Sequence, residues 1–292
     1  MKLLTVFTPT YNRAYTLPQL YTSLKNQTNK DFIWLIIDDG STDNTNELIA
    51  KWKKENNVQI VYIYQENQGM HGAHNTAYAN INTGLNVCID SDDYMPDSAV
   101  AKIIDFWNKN QTNKVAGFIG LDADKKGDII GTKIPEKVKK TTLTALYYKY
   151  RVKGDKKLVL RTEIVKQYPK YPIFADERFV PLDILYFNIE QDYKLLCINE
   201  VLCIVEYLED GSTQNIFKQY LRHPKGFRYV RKERMMRSPF WKDRIKNNIH
   251  FVAKCIYLKE SIYNDNPKKI TTTFLFPFGL MLYFYINFKA NK

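Results

Sequence analysis

Three short segments in the first hundred residues of this 292-residue chain hold the side chains best suited to chemistry. The most telling is Ile89-Asp90-Ser91-Asp92-Asp93, with three carboxylates in four positions directly after a short apolar run. Carboxylates this crowded repel one another unless hydrogen-bond donors or a cation offset their charge. A hard divalent ion, Mg²⁺ or Mn²⁺, suits such oxygen donors and bridges them to a diphosphate. The ordinary alternative is a solvated acidic turn leading into a helix capped by Asp97 or Ser98, which fits Asp93 better than Asp90 or Asp92. The second segment, Asp38-Asp39-Gly40-Ser41-Thr42-Asp43, joins a turn signal to helix-capping residues. Beside a diphosphate site, Asp39 is placed to accept the N3–H of a uracil. The third segment, Asn67-Gln68-Gly69-Met70-His71-Gly72-Ala73-His74-Asn75, sets two imidazoles close to a glycine.

The elements that must position these segments alternate between two periods. Leu3 to Thr8, Phe32 to Ile37, Val58 to Tyr64 and Val87 to Ile89 are short, apolar and β-prone. Between them, Leu17 to Gln27 and Thr45 to Glu55 carry apolar residues at helical spacing, and Ser98 to Asn108 follows as a further helix. Strands that are apolar throughout, separated by amphipathic helices, predict an α/β fold around a mostly parallel sheet covered on both faces. In such sheets ligands bind beyond the carboxyl ends of the strands. Four segments fall there: Thr8 to Arg13, Asp38 to Asp43, Asn67 to Asn75 and Asp90 to Asp93.

Taken together, Phe7-Thr8-Pro9-Thr10-Tyr11-Asn12-Arg13, Ile36-Ile37-Asp38-Asp39-Gly40-Ser41-Thr42-Asp43 and Ile89-Asp90-Ser91-Asp92-Asp93 resemble family 2 glycosyltransferases in order and spacing. The resemblance implies the GT-A fold, a Rossmann-like nucleotide-diphospho-sugar transferase domain. It also implies a nucleoside-diphosphate sugar, UDP-linked by preference, as donor, and a divalent cation as cofactor. Carried over residue by residue, Pro9, Tyr11, Asn12, Arg13, Asp39, Asp90 and Ser91 contact the donor, and Asp92 with Asp93 the metal. Asn67, Gly69, His71 and Asn75 match the loop that many relatives write with a lysine after the glycine. Met70 stands in its place here, leaving His71 or His74 as substitute cation. Downstream, Phe174 to Asp183 is similar to the segment that supplies the family's general base. Relatives often carry Glu where Leu182 stands, so the base is Asp183 or, six residues before Asp183, Glu177. Ile204 to Ser212 and Pro224-Lys225-Gly226-Phe227 extend the likeness along the chain. The implied reaction is a single inverting displacement onto a saccharide or lipid-linked saccharide hydroxyl in cell-surface polysaccharide synthesis.

Charge divides the chain. Residues 1–211 carry 26 basic and 27 acidic side chains, and residues 212–292 carry 17 and 4, a net of +13. This suggests a catalytic domain over 1–211 and a basic, aromatic, helical extension over 212–292. A field of one sign invites an anionic partner. A nucleic acid is one such partner, but three convergent acidic loops would repel a phosphate backbone. A nucleotidyltransferase would place a glycine-rich loop after the first strand, and Thr8 to Arg13 has no glycine. A degenerate, non-catalytic scaffold is the remaining alternative. The longest apolar run, Phe274 to Ile286, is interrupted by Pro277 and Gly279 and reads as too short to span a bilayer. It reads instead as peripheral attachment to the inner face of a plasma membrane. Scattered cysteines and a start unlike a secretory leader suit a cytoplasmic setting.

Overall fold

In the computed structural model, residues 2–206 and 216–290 are described; the Tyr207 to Ser212 part of the downstream likeness lies outside them. The chain clusters into two units, Met1–Lys170 with Leu185–Tyr207 and Tyr171–Ile184 with Leu208–Lys292.

The first unit is built on an eight-stranded sheet. Its strands are β1 (Leu4–Thr10), β2 (Phe32–Asp38), β3 (Ile60–Tyr64), β4 (Leu85–Cys88), β5 (Val115–Ala123), β6 (Lys140–Thr141), β7 (Lys156–Arg161) and β8 (Lys194–Ile204), in the order β3-β2-β1-β4-β7-β5-β8-β6. From β3 to β4 every pairing is parallel, with β1 in register Leu4↔Phe32 and Leu4↔Leu85. β7 then enters antiparallel between β4 and β5, so the sheet is mixed beyond the half that carries the motifs. All seven residues of β1 are buried, as an apolar strand between two helical layers must be.

The crossovers are α1 (Leu17–Lys25), α2 (Thr45–Glu55) and α3 (Met70–Asn80), followed by α4 (Ala99–Asn110). α1 buries Leu17, Leu20, Tyr21 and Leu24, one face of a 3.6-residue period. Tyr21 stacks on Trp52 of α2 at 4.4 Å, and Trp34 of β2 joins them in the core. α2 stops at Asn56, whose left-handed φ of 54° suits an amide side chain. Short helices α5 (Leu143–Tyr148) and α6 (Thr162–Val165) follow, and α7 (Asp183–Ile189) straddles the division between units.

The second unit holds α8 (Ile216–Arg222), α9 (Pro224–Arg237), α10 (Trp241–Leu258) and α11 (Lys269–Ala290). Met235, Phe251 and Cys255 form its small apolar centre. The Phe274 to Ile286 run, read as too short to span a bilayer, lies within α11, which continues as one 22-residue helix through Pro277 and Gly279.

Candidate active site

Each of the four motif segments begins at the carboxyl end of its strand, where the parallel half of the sheet presents its loops. The first three are tied to one another by side-chain oxygens. Asn12, at φ 53°, receives Thr42 N–H at 2.7 Å and Asp43 N–H at 3.3 Å on its Oδ1, while its own N–H donates to Ser41 Oγ at 2.9 Å. Asp43 answers by accepting Ala14 N–H at 3.0 Å and Thr45 N–H at 3.1 Å. Burial works against ionisation of Asp43, but the donors from Thr45 and Ala14 prevail and hold its carboxyl below the usual range. Asp38 accepts Ser41 N–H at 2.8 Å and Tyr62 O–H at 2.7 Å.

Asp39 is buried to 3% exposure. Its Oδ1 accepts Gln65 Nε2–H at 2.7 Å and Gln68 N–H at 2.9 Å, and its Oδ2 accepts Gly69 N–H at 2.8 Å. Asn67 Nδ2–H closes the loop onto Asp39 carbonyl oxygen at 2.8 Å. The carboxylate expected to meet a uracil thus organises the β3–α3 loop, and burial nonetheless pushes it up from the ordinary value. Gly40 sits at φ 87° with Asn67 N 3.0 Å from where a Cβ would stand, so a side chain there would strain the backbone and crowd the neighbouring loop.

Pro9 is buried within β1, whereas Tyr11 is half exposed and Arg13, half-buried, pairs with Tyr15 through a hydrogen bond and ring contact. Gly69, at φ 82°, opens α3, and Asn75 is half-buried on it. His71 and His74 are corrected by their burial, at 0% and 1% exposure. His74 packs edge-on against Phe7 at 5.0 Å, and burial pushes it down to about 4, so it is neutral near pH 7 and supplies no cation. Both face inward because His71, His74 and Tyr78 follow helical spacing on one side of α3.

After β4, Asp90 and Asp92 are half-buried and Ser91 is 8% exposed. Asp93 departs from its expected role as a metal ligand. Its carboxylate turns inward at 5% exposure, accepts Glu206 N–H at 3.3 Å and lies 3.9 Å from Lys157 Nζ. Burial and the charges of Asp90 and Asp92 push Asp93 up to about 7 against the pull of Lys157. Lys157 also lies 3.9 Å from Asp122 of β5, and these carboxylates hold it well above the ordinary lysine range despite burial. Sequence reasoning missed Lys157; the signal was a lysine pair opening the apolar run of β7, where a buried cation is the natural complement to the acidic turn. Among the described residues, no three His, Cys, Asp or Glu side chains converge into a ready-made metal cage.

Glu177 and Asp183 belong to the second unit. Glu177, 3% exposed, accepts Lys225 N–H at 2.8 Å and Gly226 N–H at 2.9 Å, and so caps the first turn of α9. Gly226 is required there, since a Cβ would lie 2.3 Å from Phe179 carbonyl oxygen. Asp183 opens α7 with its side chain 44% exposed and Oδ2 3.1 Å from Arg234 Nη1. The other arm of Arg234 reaches Asp243 at 3.2 Å. A solvent-open cleft of about 740 Å³ lined by Thr83, Trp107, Arg161 and Lys166 sits at the amino ends of β1 and β4, and none of the motif residues lines it.

The chain is 32% identical over 114 residues to an uncharacterized glycosyltransferase of Nostoc, covering 39% of this chain and 34% of that protein. It spans about a third or less of the length of the first curated relatives it matches. Its fold is that of TarS from S. aureus, solved as residues 1–349 with UDP-GlcNAc, at a TM-score of 0.64 and 17% identity over 87% of this chain and 72% of that one. The mannosyltransferase PcManGT of Pyrobaculum calidifontis, solved with GDP-Man and Mn²⁺, aligns at a TM-score of 0.58 and 14% identity over 99% of this chain and 83% of that one. The sheet is therefore a GT-A sheet. Residues 5–168, more than half of the sequence, match the model of glycosyl transferase family 2, and the chain belongs to that family.

Proposed function

We propose that the chain is an inverting glycosyltransferase that moves a sugar from a nucleoside-diphosphate donor, UDP-linked by preference, to a saccharide hydroxyl. The observation that carries this reading is the gathering of four loops at the carboxyl ends of β1 to β4, with the half-buried Asp90 and Asp92 on the last. UDP-GlcNAc in the TarS structure and GDP-Man with Mn²⁺ in PcManGT support a nucleotide sugar and a cation. Asp90 and Asp92 suit Mg²⁺ or Mn²⁺. Such ions are commonly held by one or two carboxylates plus substrate phosphates, so no closed protein cage is needed. Bound there, the ion would offset charge growing on the departing diphosphate.

Tyr11, half exposed beyond β1, offers a ring face to the base, and Arg13 a guanidinium to the donor. Asp183 takes the acceptor's proton as its oxygen bonds to the anomeric carbon, and the bond from that carbon to the diphosphate breaks, inverting the centre. Arg234 holds the Asp183 carboxylate in place. Glu177 is the weaker choice as base because both of its oxygens already cap α9. The test is a hydrolysis and binding screen of UDP-, GDP- and dTDP-sugars with and without Mn²⁺. Cation-dependent turnover of one donor class is expected. Failure of every nucleotide sugar to bind, with or without the ion, overturns the reading.

A further inference from the structure

We propose that α11 is an in-plane membrane anchor, its outer face docked on an anionic lipid surface while its inner face stays packed on α10. This stands apart from the catalytic reading and does not depend on it.

At about 100° per residue, Ile270, Phe274, Phe278, Met281, Phe284 and Phe288 fall in one sector about 120° wide. They are 55–77% exposed. Thr272, Gly279 and Ile286, seven residues apart, lie on the opposite side and are buried. Gly279 permits the close approach there, since a Cβ would stand 2.3 Å from Val252 Cγ1 of α10. The helix thus has two apolar faces: the one with small residues packs on α10, and the outer one stays largely exposed, with Tyr285 at its edge meeting Phe217 of α8 at 5.9 Å. An outward stripe of this size is what a soluble surface avoids and an interaction site displays.

Charge selects the occupant. No acidic residue lies between Lys269 and Ala290. Exposed Lys268 and Lys269 precede the helix's apolar stretch and exposed Lys289 follows it, and Lys269 and Lys289 flank the stripe on either side. Residues 212–292 as a whole carry 17 basic against 4 acidic side chains. A second copy would set this positive field against itself, whereas anionic headgroups neutralise it at about 1 kcal/mol per lysine close to the surface. Aromatic rings with flanking lysines suit the boundary between headgroups and acyl chains.

The packing also decides between lying on and spanning a bilayer. By length and composition α11 is a candidate span. Its inner face, however, is held to α10, which carries Asp243, Arg244, Lys246, Asn247 and Lys254. A crossing would take the exposed charges of Arg244 and Lys246 into hydrocarbon, where each costs roughly 2.5–3.5 kcal/mol or more at the bilayer centre. An in-plane helix immerses only the outer stripe.

The experiment is flotation of the full chain with phosphatidylcholine vesicles, with and without one-third phosphatidylglycerol, at low and moderate salt. Binding to the anionic vesicles is expected. The double variant Phe274→Glu/Met281→Glu should weaken it about tenfold or more with an unchanged melting temperature. Lys268→Glu/Lys269→Glu should weaken it on anionic vesicles and leave neutral ones unaffected. No flotation at either salt overturns the proposal, as does a Phe274→Glu/Met281→Glu-sensitive dimer in light scattering without vesicle binding. Retention in the pellet after alkaline carbonate extraction overturns the in-plane geometry in favour of a span.

Discussion

The carboxylates of the two units differ less by position than by partner. In the first unit, Asp39 and Asp43 accept backbone N–H groups from neighbouring loops, which makes them fasteners. In the second, Glu177 does the same for the first turn of α9. Asp183, by contrast, is half exposed and faces an arginine. Asp90 and Asp92 resemble Asp183 in keeping part of their surface open. A motif acid whose oxygens are taken up by backbone donors holds loops together, whether buried as Asp39 is or exposed as Asp43 is.

The largest effects should separate these two groups. Asp92→Asn should lower sugar transfer by about a thousandfold and abolish Mn²⁺-dependent binding of the nucleoside diphosphate, with an unchanged circular dichroism spectrum. Full activity in Asp92→Asn, or in excess EDTA, would remove the metal from the reading. Asp183→Asn should reduce turnover by about 10²–10⁴ while donor affinity stays within a few-fold. If Glu177→Gln gives that pattern instead, the comparison between fasteners and reactive acids fails at its central pair.

Stability tests sharpen the other side. Lys157→Met leaves Asp93 and Asp122 buried without their cation and should cost about 3–5 kcal/mol in urea unfolding. A loss under about 1 kcal/mol would mean that the cluster relaxes into water. Glu177→Gln should cost about 1–2 kcal/mol through the weakened α9 cap, with turnover nearly intact.

The smallest effect is a pH slope. Burial pushes Lys254 down to about 7, with Arg231 adding to the shift and Glu177 opposing it. Above that value the folded chain releases a proton that the unfolded chain keeps. Stability should therefore rise with pH between about 7 and 10, by at most about 1.4 kcal/mol per unit. Lys254→Met should show a flatter profile in melting curves across that window; parallel profiles would contradict the shift.

Much of the first unit was legible because its strands are apolar throughout and its motifs sit where they end. The missing parts are those whose meaning depends on distant chain. Lys157 acquires its role only when β7 is laid between β4 and β5. His71 and His74 were read by their distance from Gly69, but the face of α3 on which they lie decides their burial. Pro277 and Gly279 normally interrupt a helix. Here Pro277 lies exposed and Gly279 lets α11 pack on α10, so tertiary contact outweighs local propensity. The cut drawn from charge alone likewise left residues 171–184 with the first unit, whereas they cluster with the C-terminal helices.

The insertion of β7 has a consequence for how the chain is made. The β3-β2-β1-β4 half is complete in sequence by Cys88, yet the strand that covers the outer edge of β4 begins at Lys156. At roughly 5–20 residues per second, a nascent chain leaves that edge open for roughly 3–14 s on the ribosome. An open edge is a template for pairing with a neighbouring chain. Here it is only four residues long and carries Asn86 at its middle, whose amide later donates to Leu160 carbonyl oxygen at 3.2 Å and to Thr162 Oγ1 at 3.1 Å. The same polar side chain that latches β7 in the finished sheet blunts the edge against a stranger while synthesis continues.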